Sequence, residues 1–301
     1  MCFTYLKQEG YGSLYKPYLA LIIAGISISW AAILARLTNA PSYVIALWRL
    51  AFSSIILFAL ALLKRNYLLE LRQMNRSEIL LMGFSGIMLA VHLALWVESL
   101  FLLPVSLSVI IVDTYPVFSI IIDYKLFKTR ISIIQIIGIL LAFTGITILS
   151  LISERVTTGN AYGILLAFIA SLAAATYFSV GKFFRKKYST TTYSLIVYSS
   201  ASLSLLLCDL VLNYNIIYYD VKTWILFALF AIVPMLGGHT MINYALKYFP
   251  LSSTIAIVLV EPVGATILAA LILSEYVSPI VYLIMTQILL GLYLAIRGVK
   301  Y

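Results

Sequence analysis

Charge is what this chain has least of. Only 10% of its 301 residues are Asp, Glu, Lys or Arg and 63% are hydrophobic, whereas an ordinary soluble domain is about 25% charged. No water-facing shell can be built from that composition, and the mean hydropathy of +1.07 assigns most residues to lipid. Cysteine is nearly missing: Cys2, at the N-terminus, and Cys208, in an apolar stretch, make neither a disulfide framework nor a metal cluster. The chain has no Gly-x-x-x-x-Gly-Lys-Ser/Thr loop for ATP and no His-Glu-x-x-His, Cys-x-x-Cys or Asp-Asp-x-x-Asp cluster for a catalytic metal. It also lacks a repeated Thr-Val-Gly-Tyr-Gly filter. No cofactor and no metal site are expected. Residues 1–18 contain no short apolar segment ending in a small-residue cleavage site, so the first helix is expected to stay in the protein.

What is there is a series of apolar runs about as long as a bilayer core is thick. Runs bounded by Pro, Gly or charge predict an all-α polytopic membrane protein with ten transmembrane helices: 17–35, 41–63, 79–101, 105–127, 132–152, 161–181, 190–212, 224–246, 251–274 and 279–297. An even number places both termini on one side. With that side cytoplasmic, only Arg36, Arg155 and Lys222 of the 20 Lys and Arg fall in outer segments and Arg49 lies inside a span; the rest flank the inner ends. The expected location is the plasma membrane, multi-pass, both termini cytoplasmic. The net charge of +9 comes from these scattered topology markers, not from a basic stripe, so nucleic acid is excluded as a partner. The lipid bilayer is the partner that composition demands, and the choice between monomer and homodimer stays open.

The polar break Ser153-Glu-Arg-Val-Thr-Thr-Gly-Asn160 leaves five spans on either side. Across it the segment from Pro104 aligns without a gap on the segment from Pro250, pairing Ser106 with Ser252, Ser108 with Thr254, Val112 with Val258 and Pro116 with Pro262. The same register pairs Thr129 with Glu275 and Gly145 with Gly291. Five is odd, so the second half enters the membrane from the opposite side. The expected domains are a first repeat over 1–153, a connection over 154–160 and a second repeat over 161–301, forming a 5+5 inverted-topology repeat with any solute site between the halves near mid-membrane.

This organisation resembles the drug/metabolite transporter superfamily, in particular its EamA-like ten-helix members such as the YddG-type amino-acid exporters. The likeness covers essentially the whole chain. It is carried by the order and spacing of Ser29-Trp30-Ala31, Pro41 followed by Arg49, Thr176-Tyr177, Pro250-Leu-Ser-Ser-Thr, Glu261-Pro262 and Glu275. The first half departs from the family pattern in having Lys128-Thr129-Arg130 where an acidic residue often stands. The resemblance implies export or exchange of metabolites by alternating access.

Ionisable groups in a membrane are costly and are read first as functional. Arg49, Asp113 and Glu261 each fall roughly 12–15 Å into their spans at 1.5 Å per residue, near the midplane. A structural Arg49–Asp113 ion pair is the alternative to a transport role. His92 and His239 occupy nearly corresponding places. Trp96 follows His92 by four residues and Asn243 follows His239 by four, so each pair shares a helix face. A histidine bonded to a backbone carbonyl is the structural alternative. Trp30 and Tyr177 hold corresponding places and are the first candidates among the aromatics, ahead of Trp48 and Tyr244. Pro104 and Pro250 are read as turns, Pro116 and Pro262 as hinges, and Gly237-Gly238 as a compliant point. The expected substrate-binding set is Trp30, Arg49, His92, Trp96, Asp113, Tyr177, His239, Asn243 and Glu261. The expected function is a secondary transporter for small metabolites, amino acids first, with a proton as a candidate coupled partner. It is not expected to be an enzyme. The rivals are a membrane enzyme on a lipid-linked substrate using Asp113, His239 and Glu261, a passive channel, and a carrier of another class such as phosphorylated sugars.

Overall fold

The computed structural model describes residues 15–128, 132–152, 158–249, 251–274 and 278–297. Cys2, Thr129, Arg130, Arg155, Pro250, Glu275 and residues 154–157 of the connection lie outside the described residues. Among those described, every regular element is helical. Seven segments are by themselves long and apolar enough to cross a bilayer: Tyr15–Leu37, Ser42–Leu63, Arg76–Leu102, Val105–Leu126, Ala161–Phe184, Thr190–Val211 and Val221–Ala245. Three shorter apolar stretches, Ile133–Gly145, Ile257–Ile272 and Pro279–Ala295, stand in the places of the fifth, ninth and tenth spans. The chain is thus a polytopic helical membrane protein, its spans numbered one to ten below. Helix ends differ from the hydropathy reading by a few residues because caps rather than hydropathy set them. The third span begins at Arg76, where Asn75 Oδ1 accepts the Glu78 amide at 2.9 Å and Glu78 Oε2 accepts the Asn75 amide at 3.1 Å. The eighth begins at Val221, capped by Asp220 Oδ1 accepting from the Thr223 amide at 2.9 Å.

Four spans are interrupted, and each interruption has a local cause. The first divides into Tyr15–Ile28 and Ala31–Leu37, and the fourth into Val105–Val112 and Tyr115–Phe127. The eighth runs through a π-helix at Ala231–Thr240 that contains Pro234, and the ninth through a 3-10 turn at Ala256–Val260 before Glu261–Ile272. Pro116 and Pro262 sit in the first turn of the second halves of spans four and nine, where a missing N–H costs least. Lipid offers no hydrogen bonds, so freed carbonyls must find partners inside the protein. Hydroxyls provide them: Ser29 donates to Gly25 O (3.0 Å), Thr114 to Ile111 O (2.7 Å) and Thr240 to Met235 O (3.1 Å).

Close helix approach without a hydrophobic effect in lipid relies on small residues. Spans five and ten cross at Gly138 and Gly291. A Cβ at Gly138 would lie 2.4 Å from Gly291 O, and one at Gly291 would lie 2.6 Å from Ala142 N. The first span leans on the π-segment, where a Cβ at Gly238 would meet Ile28 Cγ2 at 2.6 Å. A Cβ at Gly264 would likewise meet Ser29 Oγ at 2.3 Å, so the broken segments of spans one, eight and nine are drawn together.

Candidate solute site at the helix breaks

The breaks meet at a small cavity whose lining residues are buried. Its lining is Ile28 and Ala31 from span one, Arg49 from span two, His92 and Trp96 from span three, Val112, Asp113 and Tyr115 from span four, His239 and Ile242 from span eight, and Glu261 from span nine. The volume open to a water's centre is about 20 Å³, room for one or two waters. Asp113 caps the first half of span four and Glu261 begins the second half of span nine. A carboxylate at a helix N-terminus faces the positive end of the peptide dipoles.

Polar atoms of both kinds are buried here without partners. Arg49 is 1% exposed, its Nε and Nη1 have no hydrogen-bond acceptor, and its guanidinium lies 5.4 Å over the Phe230 ring. Asp113 is also 1% exposed, with Oδ2 unpartnered. Trp96 Nε1 and His239 Nδ1 are unpartnered as well. Among the described residues the Arg49–Asp113 ion pair does not form; neither Asp113 nor Glu261 brings a carboxylate oxygen within 4.0 Å of Arg49. The two side chains come from different helices, spans two and four, and both line the cavity. Buried unpaired polar atoms are costly, so this arrangement is poor for stability alone.

His92 and His239 approach to 5.8 Å between ring centres across the cavity. His92 Nδ1 lies 3.0 Å from Ala170 O; a carbonyl only accepts, so Nδ1 carries the proton and the neutral ring's Nε2 is an acceptor. The carbonyl-bonded reading and the cavity reading thus hold for the same residue. Trp96 lies parallel to His92 at 6.4 Å, Tyr115 edge-on to it at 6.2 Å, and Phe178 stacks on His239 at 5.7 Å.

Three of the nine expected residues stand elsewhere. Trp30 caps the second half of span one and is 40% exposed toward the membrane; the break at Ser29-Trp30 turns it outward. Tyr177 and Asn243 stand one layer behind the lining, joined by Asn243 Nδ2 donating to Tyr177 Oη at 2.6 Å. The Tyr177 ring lies 6.1 Å from that of His239. Trp48 packs with Phe52, Trp224 and Phe227 and donates to Ile216 O at 2.8 Å, and Tyr244 packs at a tilt against Tyr248. Tyr115, absent from the expected set, had a signal: it precedes Pro116 as Glu261 precedes Pro262. Nothing in the sequence separates Phe178 from the other 14 Phe of the chain's 15. Among the described residues no three His, Cys, Asp or Glu are grouped to hold a metal ion.

Toward the two ends of the bundle, matching contacts, called latches below, tie the helices together. Arg36 Nη2 donates to Leu103 O at 2.7 Å, and Lys182 Nζ donates to Phe249 O at 2.6 Å and Leu246 O at 2.7 Å. In the register that sets Pro104 on Pro250, Arg36 falls on Lys182 and Leu103 on Phe249. Each cation holds the carbonyl just before the proline that opens span four or span nine, the two spans carrying Asp113 and Glu261. Because the halves are inverted, the latches lie at opposite faces of the membrane. The Lys182 end is reinforced by Arg185, which donates to Asn243 O (3.0 Å) and Tyr188 O, and whose burial pushes its guanidinium down to about 10. Lys187 bonds Glu78 there at 2.5 Å, which raises its ammonium above the ordinary lysine value.

Two inverted five-helix halves closing on a polar mid-membrane cavity define a multi-pass membrane transporter. The EamA-like transporter family model matches the chain twice, over residues 15–151 and 161–297, and the chain belongs to that family. A stretch of 83 residues is 30% identical to an uncharacterized transporter of Archaeoglobus fulgidus, covering 28% of this chain and 29% of that relative's length. A solved crystal structure superposes with a TM-score of 0.71 over 93% of this chain and 96% of its own, at 18% identity, which is a likeness of fold. The family makes the protein a carrier of small molecules across a membrane and not an enzyme.

Proposed function

We propose that this transporter moves zwitterionic amino acids, or small polar metabolites of that charge pattern, across the plasma membrane by alternating access, with both termini cytoplasmic. The observation that carries the reading is the set of buried, unpartnered groups on residues that line one cavity, Arg49 Nε and Nη1 and Asp113 Oδ2. A carboxylate satisfies the guanidinium, an ammonium group satisfies Asp113 or Glu261, and the rest of the solute lies against Trp96, Tyr115 and Ile242. A zwitterion thus brings both missing partners at once. A phosphorylated sugar brings a dianion to a site with one guanidinium and two carboxyls, which is the wrong balance.

The same balance favours proton coupling. Arg49 offsets one carboxylate, and a second charge in a membrane-buried site is expensive. A proton on Asp113 or Glu261 removes the excess, and the arriving ammonium displaces it. The cavity is smaller than any amino acid, so a solute enters only when one end opens. The matched latches of Arg36 and Lys182 let either end open by breaking the same kind of bond.

The test is counterflow in proteoliposomes preloaded with a mixed amino-acid pool, with and without a pH gradient. Saturable exchange of a labelled amino acid that Arg49→Met abolishes is expected. Counterflow absent from folded protein would remove amino acids; counterflow indifferent to a pH gradient would remove the proton.

A further inference from the structure

A second and larger hollow lies on the flank of the bundle, between spans three, four and six. It has a volume of about 730 Å³ and is lined by Leu81, Ile122, Leu126, Val180 and Phe183, with Thr176 and Ser179 deeper in and Lys186 at its mouth. Spans four and six end, and span three begins, at this one face, so the hollow starts at a membrane surface. From Lys186 to Thr176 a helix rises about 15 Å at 1.5 Å per residue, half of a bilayer core about 30 Å thick. The hollow therefore has the depth of one leaflet.

Its chemistry is divided along that depth. The two hydroxyls in the wall are already used, Thr176 donating to Leu172 O (3.0 Å) and Ser179 to Ala175 O (2.7 Å). The rest of the wall presents carbon, with Leu126 and Phe183 70% and 58% exposed. The mouth presents a cation. Lys187, next to Lys186, is held by Glu78, which leaves Lys186 as the charge that lines the hollow, while Lys125 and Lys128 end span four at the same face.

We propose that this hollow is a binding site for one phospholipid of an anionic headgroup class, its acyl chains along Val180 and Ile122 and its phosphate on Lys186. Basic residues at the cytoplasmic ends of membrane helices recognise anionic lipids in this manner. The site is separate from the mid-membrane cavity and does not depend on what that cavity carries.

The test is native mass spectrometry of the delipidated full-length protein titrated with phosphatidylglycerol or with phosphatidylcholine of the same chains. One tightly retained phosphatidylglycerol is expected, preferred by about fivefold for each lysine engaged. Lys186→Glu should erase that preference, and Val180→Trp, which fills the hollow, should remove the tightly retained molecule of either lipid. Equal retention of the two lipids by the unaltered protein, or a preference that survives Lys186→Glu, would overturn the headgroup assignment. Retention unchanged in Val180→Trp, with melting shown to be normal, would place the lipid elsewhere.

Discussion

Replacing Lys182 by methionine keeps the length of the side chain and removes both charge-assisted hydrogen bonds, to Leu246 O and Phe249 O. Such bonds contribute roughly 1.5–3 kcal/mol each when buried; Lys182 is half-buried, and about 2 kcal/mol for the two together is a fair allowance after solvent screening. At 1.4 kcal/mol per decade that multiplies the population open at the Lys182 end about thirtyfold. Arg36→Met removes the bond to Leu103 O and should act in the same way at the opposite face. The assay is alkylation of a single cysteine at Ile242, which lines the cavity and is 1% exposed, with Cys2 and Cys208 replaced by serine. A membrane-impermeant maleimide is applied from each side of oriented vesicles. Lys182→Met should raise the rate from the Lys182 side alone, and Arg36→Met from the Arg36 side alone. Rates that rise equally from both sides mean loosened packing, and rates that rise from the wrong side refute the assignment of the latches.

Arg49→Met should abolish solute binding yet leave the melting temperature in detergent unchanged or higher, because replacing an unpaired buried charge by an apolar side chain removes a desolvation cost; a large fall in melting temperature would make Arg49 structural. Glu261→Gln should spare membrane insertion and remove the response of transport to a pH gradient, and an intact response in flux assays would take Glu261 out of coupling. Gly138→Leu should destabilise by about 1–3 kcal/mol, by forcing a side chain into the crossing of spans five and ten, visible as a lowered midpoint in thermal or denaturant unfolding. The Thr223 hydrogen bonds hold the Asp220 carboxylate below the ordinary aspartate value. Its cap therefore stabilises above that ordinary value and is lost as pH falls through the lowered one. Melting curves at acid pH should show that loss, and Asp220→Ala should flatten it.

How much of this was legible in the sequence depended on whether the cause was local. Hydropathy reports the solvent around a helix, so all ten spans could be read, and Pro116 and Pro262 marked two of the breaks because proline acts on its own turn. Arg49, His92, Trp96, Asp113, His239 and Glu261 could be picked out because a polar group in lipid is conspicuous wherever it points, and the structure gathers these six on one cavity. Orientation was not legible. Trp30 shares the first span with Ile28 and Ala31, but the break at Ser29 turns it to the membrane. Tyr177 and Asn243 bond each other behind the wall, a contact between spans six and eight that no spacing within either announces. The π-segment that delivers His239 is marked in the sequence by Pro234 and by Gly237-Gly238, neither of which announces a π-helix.

The two halves are alike where they frame the site and unlike where they line it. Arg36 stands against Lys182, Leu103 against Phe249, and Pro116 against Pro262, so the latches and the breaks are matched. In the same register Arg49 stands against Leu195, Asp113 against Leu259, and Tyr115 against Glu261. In the proposed alternating access, a frame of matched contacts at the two faces would keep the two end states close enough in energy for a small solute to select between them. A lining with the same symmetry would present every solute group with two equivalent partners and no preferred direction. Placing the one guanidinium in the first half and Glu261 in the second gives the cavity a polarity across the repeat axis. In the proposed transport cycle that polarity is what would tell one end of a zwitterion from the other, inside a frame whose latches and breaks are matched between the halves.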